Sequence, residues 1–315
     1  MASTAGYTGP PDLTLSRVLT QWQFDLPTAV LVVVIGLLYA VGLRRVRASG
    51  SAWPRSRVVA FAAGLVLLSV VGSSFLGVYS EVLFWVRATQ NMLSLMVVPL
   101  LLALGAPVTL ALAAAPQWLG RRLRALGRSR LLRVLTFPLV LTVLLIAPLI
   151  VLYLSPLYEV SLRHPLVAFA ARLVLLGCGF LYFWTRLQLD PTPRAGTHLV
   201  SFAISLTEAM ADAVLGIVLW QGPLVAAGFY DAVRRPWGPS EYIDQIAGAG
   251  VLWIGADVAG LPFLAVLFLR WMRADERHAR VVDTQLEHAQ SLDTAPAAGL
   301  WWQDDEVLAQ RFRRR

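Results

Sequence analysis

The sequence predicts an all-α, polytopic transmembrane helix bundle of about seven spans, with the N-terminus outside and the C-terminus cytoplasmic. Three observations carry that prediction. Of 315 residues, 57% are hydrophobic and 15% charged, where a soluble domain has about a quarter charged; mean hydropathy is +0.64. Apolar runs close to the ~20 residues a bilayer core requires recur along the chain. The basic residues are all arginine in a chain of net charge +8. They collect between the apolar runs rather than on one compact face, which disfavours nucleic acid as a partner and makes them topology signals.

Residues 1–21 form a polar extracytoplasmic arm with Pro10-Pro11 and a few spaced leucines, either a short interfacial helix or a disordered arm. The arm lacks the basic start and short apolar core of a cleaved signal, so the first span is expected to stay as an anchor. That span runs from Trp22 to Leu43, and the second from Val58 to Tyr79, with Gly64, Gly72 and Gly77 suited to close helix contact. The third, Glu81 to Thr109, organises the rest. It is apolar and of spanning length, opens on a polar turn and closes at Gly105-Ala106-Pro107.

The fourth span is Val134 to Tyr153, with Pro148 expected to bend it. The fifth is Pro165 to Thr185, the sixth Val200 to Trp220 and the seventh Ile246 to Leu269, completing a membrane domain over 22–272. Residues 273–315 read as a cytoplasmic helix and flexible tail. The loops after spans one, three and five and the tail hold most of the arginines, which gives the orientation by the positive-inside rule.

Polar groups inside the spans need a reason, because charge in hydrocarbon is costly unless it faces the protein interior. Arg87 and Asn91 stand four apart and share one face of span three. Arg172 lies roughly 10 Å into span five, Glu208 and Asp212 share a stripe on span six with Ser201 and Ser205, and Asp257 is midway along span seven. Pairing Arg172 with Asp212 or Asp257, and Arg87 with Glu81 or Asp212, predicts an ion-pair core. Two readings stay open for it: pairs that hold the spans in register, or a site for a proton, an ion or a partner's side chain.

No metal is expected. Met92, Met96 and Cys178 are soft groups that would suit Cu(I), but methionine also fills gaps between helices and no tight Met-x-Met or Cys-x-x-Cys spacing occurs. The lone Cys178 excludes an intramolecular disulfide. No nucleophile elbow, zincin motif, phosphate loop or dinucleotide fingerprint appears, so the chain is not expected to be an enzyme. Asp244 and Gln245 open span seven on the outer side, where Asp244 is expected to cap its own helix.

The runs WQFDLPTAVLVVVIGLLYAVGLRRVR, PLLLALGAPVTLAL, HPLVAFAARLVLLGCGFLYFW followed by Leu189-Asp190-Pro191, and DQIAGAGVLW with Trp271 resemble the CtaG family. The resemblance covers roughly residues 20 to 272. It implies a bacterial plasma-membrane factor for assembly of cytochrome c oxidase and its copper centres, with oxidase subunits or other assembly proteins of the respiratory chain as partners beside membrane lipids. His164, Asp244 and Gln245 match the family's outer-face positions. Where the family carries histidines, this chain has Arg87, Asn91, Arg172 and Asp212. Arginine has no lone pair for a metal, so the resemblance implies a scaffold or assembly role with the metal pocket replaced by charged and polar groups. The alternative is a transporter or sensor using the Arg/Asp/Glu cluster for a proton or small anion.

Overall fold

A computed structural model describes residues 7–127, 129–187 and 213–255, with isolated positions at 210, 258, 272, 276, 283 and 284. The chain divides into two compact units, Met1–Phe263 and Leu264–Arg315; the second contributes only four described positions, all helical. The described residues are helical throughout their ordered elements and include no strand.

Helix α1 (Leu15–Thr20) precedes α2 (Leu26–Ala48), which starts where Asp25 caps it and Pro27 presets the first turn. Val33, Val34, Leu37 and Leu38 of α2 are exposed, while Tyr39, Gly42 and Val46 face inward. Arg55–Ser73 (α3) and Phe75–Tyr79 (α4) form one span with a break at Ser74, whose hydroxyl caps α4. The third span is α5 (Phe84–Met92), a π-helical turn at Leu93–Val97, and α6 (Val98–Leu104). Ala106, left-handed at φ 50°, turns the chain into α7 (Pro107–Ala114).

Two short basic helices follow, α8 (Gln117–Gly127) and α9 (Arg130–Leu135). Next come α10 (Pro138–Tyr153), α11 (Leu157–Arg163) and α12 (Pro165–Leu187). A 70° bend separates α10 from α11. It falls at Leu154-Ser155-Pro156, beyond Pro148, where Pro156 has no amide hydrogen to carry the helix on. The later elements are α13 (213–221), α14 (Ala227–Val233) and α15 (Glu241–Gly250), the last running into a π-helical turn at Val251–Gly255.

Four described helices are long and apolar enough to cross a membrane, and the bent pair α10–α11 makes a fifth if it is one span. This is a multi-pass membrane protein by helix length and composition. Most of the predicted sixth and seventh spans lies outside the described residues.

The third span is central. Of its most apolar window 72% is buried, against 17, 33 and 28% for the spans beginning at Leu26, Arg55 and Pro165. Those three leave most of the window on the outside of the bundle, whereas this one is largely enclosed by protein. Small residues allow the approach: a Cβ at Gly64 would lie 3.0 Å from Leu102, and one at Gly179 would collide with the Leu95 carbonyl oxygen. The organising helix is shorter than the sequence predicts, however. It begins at Phe84, leaving Glu81 in a turn, and ends at Leu104 because the Gly105-Ala106-Pro107 break starts a separate helix.

Candidate functional site

The polar core is built around the first two turns of α5. Leu83, which precedes that helix, has no side chain able to cap it. Asp244 of α15 supplies the cap from outside, accepting from the backbone amides of Phe84 at 3.1 Å and Trp85 at 3.0 Å. Asp244 therefore caps a neighbouring helix and not its own, whose N-terminus is capped by the Ser240 hydroxyl. The physical reason is position: Asp244 lies one turn inside α15, too late to reach that helix's free amides. Arg235 donates to Asp244 at 3.3 Å and lies 5.1 Å over the Trp237 ring.

Gln245 complements this arrangement. Its amide donates to the Leu219 and Pro223 carbonyls at 2.8 and 3.1 Å and accepts from the Val225 amide at 2.7 Å. Asp244 and Gln245 are 2% exposed each. Together they fasten α5 and the 219–225 segment to α15, so these residues hold the walls of the site.

Arg87 is inside those walls, 5% exposed. Its Nη1 donates to Gln90 Oε1 at 3.4 Å and its Nη2 to Ser161 Oγ at 3.3 Å, while Nε has no partner. Both bonds are long and both acceptors neutral. Among the described residues Arg87 forms no ion pair; Glu81, a predicted partner, is exposed in the turn before α5. Gln90 is anchored by its own bond to the Val71 carbonyl at 2.9 Å. Asn91, one turn deeper, donates to the Tyr153 hydroxyl at 2.9 Å. The Tyr153 ring stacks on Tyr158 at 5.0 Å, and the Tyr158 and Tyr230 hydroxyls share a 2.9 Å hydrogen bond. Phe84 fills the space between, 5.5 and 5.4 Å from the Tyr153 and Tyr158 rings.

Arg172 has a different partner set from the one predicted. Its Nη1 donates to Asp25 Oδ2 at 2.7 Å and to the Thr28 hydroxyl at 2.6 Å. The pair joins α12 to the start of α2 and is largely shielded, with side-chain exposures of 11 and 18%. Asp25, just outside the span, also accepts from the Thr28 amide and hydroxyl at 3.3 and 2.7 Å. Burial raises the Asp25 carboxyl, but the bonds from Thr28 and Arg172 and the guanidinium charge outweigh it, holding the group below the usual aspartate value. Glu208, Asp212 and Asp257, the other predicted members of the cluster, lie outside the described residues.

The structure thus places Arg87 and Asn91 one turn apart on the buried part of α5, each with its own partners, and gives Arg172 a third set. Asp25, Gln90, Tyr153, Tyr158, Ser161 and Tyr230 were missed by sequence reasoning. A signal existed for Asp25, a carboxylate immediately before Leu26-Pro27 in the N-cap position. His164 is exposed, and its carbonyl accepts from Val167 and Ala168 at 3.0 and 3.1 Å where α11 meets α12.

A copper ion does not fit the guanidinium groups that stand at two of the predicted site positions. The guanidinium groups of Arg87 and Arg172 carry no lone pair, and the Asn91 amide donates to Tyr153. Among the described residues no three His, Cys, Asp or Glu side chains converge to hold a metal. Met92 is buried with its methyl group 3.3 Å from where a Cβ on Gly255 would lie, Met96 is half-buried, and Cys178 is half-buried on α12.

A multi-pass helical membrane protein, folded around a buried third span that carries this polar core, is the class these observations define. The chain belongs to the cytochrome c oxidase caa3 assembly factor family, CtaG, whose sequence model matches residues 37–274. It is 30% identical over 298 residues to uncharacterized proteins of Mycobacterium bovis and Mycobacterium tuberculosis, covering 91% of this chain and 44% of each relative. A Mycobacterium leprae protein is 31% identical over 286 residues, covering 87% of this chain and 43% of that relative. The chain therefore spans less than half the length of these relatives. No solved structure matches it.

Proposed function

We propose that the protein is a non-enzymatic assembly or scaffolding factor for cytochrome c oxidase in the bacterial plasma membrane, with polar core groups in place of a metal pocket. One observation supports this most strongly. At the positions where resemblance to the family implies histidines, Asn91 and Arg172 are committed to protein partners, Tyr153 and the Asp25–Thr28 pair. A guanidinium offers a metal no lone pair, and the Asn91 bond joins α5 to α10. Seven spans, an outer N-terminus and a cytoplasmic C-terminus complete the reading, supported by the arginine distribution. Oxidase subunits or other respiratory-chain assembly proteins are its partners.

The test is genetic and spectroscopic. Deleting the gene lowers the haem absorbance of assembled oxidase, and both the parent and a Met92→Leu/Cys178→Ala variant restore it. Oxidase levels indifferent to deletion would refute the assembly role; failure of the variant alone would point to soft-metal handling.

A second reading, transport or sensing of a proton or small anion, is favoured by Arg87. Its guanidinium is buried with an unpartnered Nε and no carboxylate partner among the described residues. This reading predicts anion- or proton-dependent flux in vesicles that Arg87→Met abolishes; the scaffold reading predicts none.

A further inference from the structure

Helices α8 and α9 lie between the third span with α7 and the apolar α10, which with α11 makes the bent pair. Among the described residues their chief packing contacts are with each other and with α7 and α10. The segment from Gln117 to Phe137 holds six arginines. No Asp or Glu occurs between Glu81 and Glu159, so nothing nearby in the chain neutralises them.

Arg121, Arg122, Arg130 and Arg133 are exposed. Large apolar side chains are exposed beside them: Trp118 at 55%, Leu131 at 68%, Val134 at 59% and Phe137 at 41%. On α9, Leu131 and Val134 are three apart, as are Arg130 and Arg133, so the short helix presents an apolar strip next to a cationic one. The apolar strip continues into α10 through Leu139 and Val143, exposed at 65 and 60% on a helix of membrane-crossing character. On α8 the Arg122 guanidinium lies 5.6 Å over the Trp118 ring, placing charge and aromatic surface together.

We propose that α8 and α9 form an in-plane platform that binds acidic phospholipid headgroups. Leu131, Val134, Phe137 and Trp118 enter the boundary between headgroups and acyl chains, and the arginines take phosphate oxygens from the same leaflet. A soluble nucleic acid or free phosphate would use the arginines but leave that apolar strip uncovered. Continuity with the exposed face of α10 selects a lipid. An acidic lipid also matches a segment with no carboxylate of its own.

The test is native mass spectrometry of the full-length protein released from micelles doped with equal amounts of phosphatidylglycerol and phosphatidylcholine. The parent retains phosphatidylglycerol preferentially. Changing Arg121, Arg122, Arg130 and Arg133 together to Gln lowers that preference about tenfold or more, since each surface arginine contributes roughly fivefold. Changing the same four to Lys keeps most of the preference, which separates loss of charge from misfolding. Equal retention of both lipids by the parent, an unchanged preference in the Gln variant, or equal loss in both variants would overturn the proposal. Displacement of the lipid by millimolar inorganic phosphate would show a phosphate site only and also overturn it, as would displacement by an acidic peptide with no effect of lipid charge.

Discussion

The ion pair between Asp25 and Arg172 gives the sharpest prediction. Asp25→Asn removes the charge but leaves a good helix cap, because asparagine caps about as well as aspartate. Arg172→Met removes the guanidinium and keeps an unbranched stem. Each single variant strands the other member at a site with side-chain exposures of only 11 and 18%. Breaking a fully buried pair costs about 3–5 kcal/mol; partial exposure and the retained Thr28 contacts reduce this to about 2–3 kcal/mol. For a chain of 315 residues, that lowers the thermal midpoint by about 3–5 °C. The double variant leaves no stranded charge and recovers about half of the summed loss. The assay is thermal unfolding of the purified protein in detergent, followed by monodispersity across the four-member cycle. Additivity within about 0.5 kcal/mol would refute the pairing.

Other outcomes follow from the same geometry. Acidification is a second probe of the pair: a carboxyl held below its unfolded value contributes stability that is full above that value and is lost as pH falls through the folded one. The parent's midpoint should therefore fall more steeply than that of Asp25→Asn below about pH 4. Asp244→Ala removes the cap of α5 and strands Arg235, 7% exposed in its side chain, and should cost about 3–5 kcal/mol in the same unfolding assay. Gly179→Ala places a methyl against the Leu95 carbonyl and should cost about 1–3 kcal/mol or block folding, read as loss of monodisperse protein. Tyr153→Phe leaves the Asn91 amide without its acceptor, a loss of about 1–3 kcal/mol that a further Asn91→Leu should largely restore.

The central third span could be read from its length and polar opening, and so could the shared placement of Arg87 and Asn91, because helical periodicity is local. Pairing could not. Asp25 and Arg172 are 147 positions apart, and no periodicity links residues on different helices. The carboxylates expected to serve the arginines were Glu81 and those within spans six and seven, whereas the one that meets Arg172 caps the first span. Asp244 shows the same limit. Its residue type announced a cap, but whose helix it caps depends on how α15 packs against α5. No local pattern links the tyrosines at 153, 158 and 230; their convergence depends on the bend between α10 and α11.

The measurement closest to the central claim is metal content and Cu(I) titration of the purified parent, beside a variant carrying Arg87→His, Asn91→His, Arg172→His and Asp212→His. The account predicts a parent that stays metal-free, since Asn91 and Arg172 are committed to Tyr153 and to Asp25 with Thr28, and Arg87 has no lone pair to offer. It predicts copper binding only in the variant. Tight stoichiometric Cu(I) binding by the parent would contradict it and move attention to Met92, Met96 and Cys178.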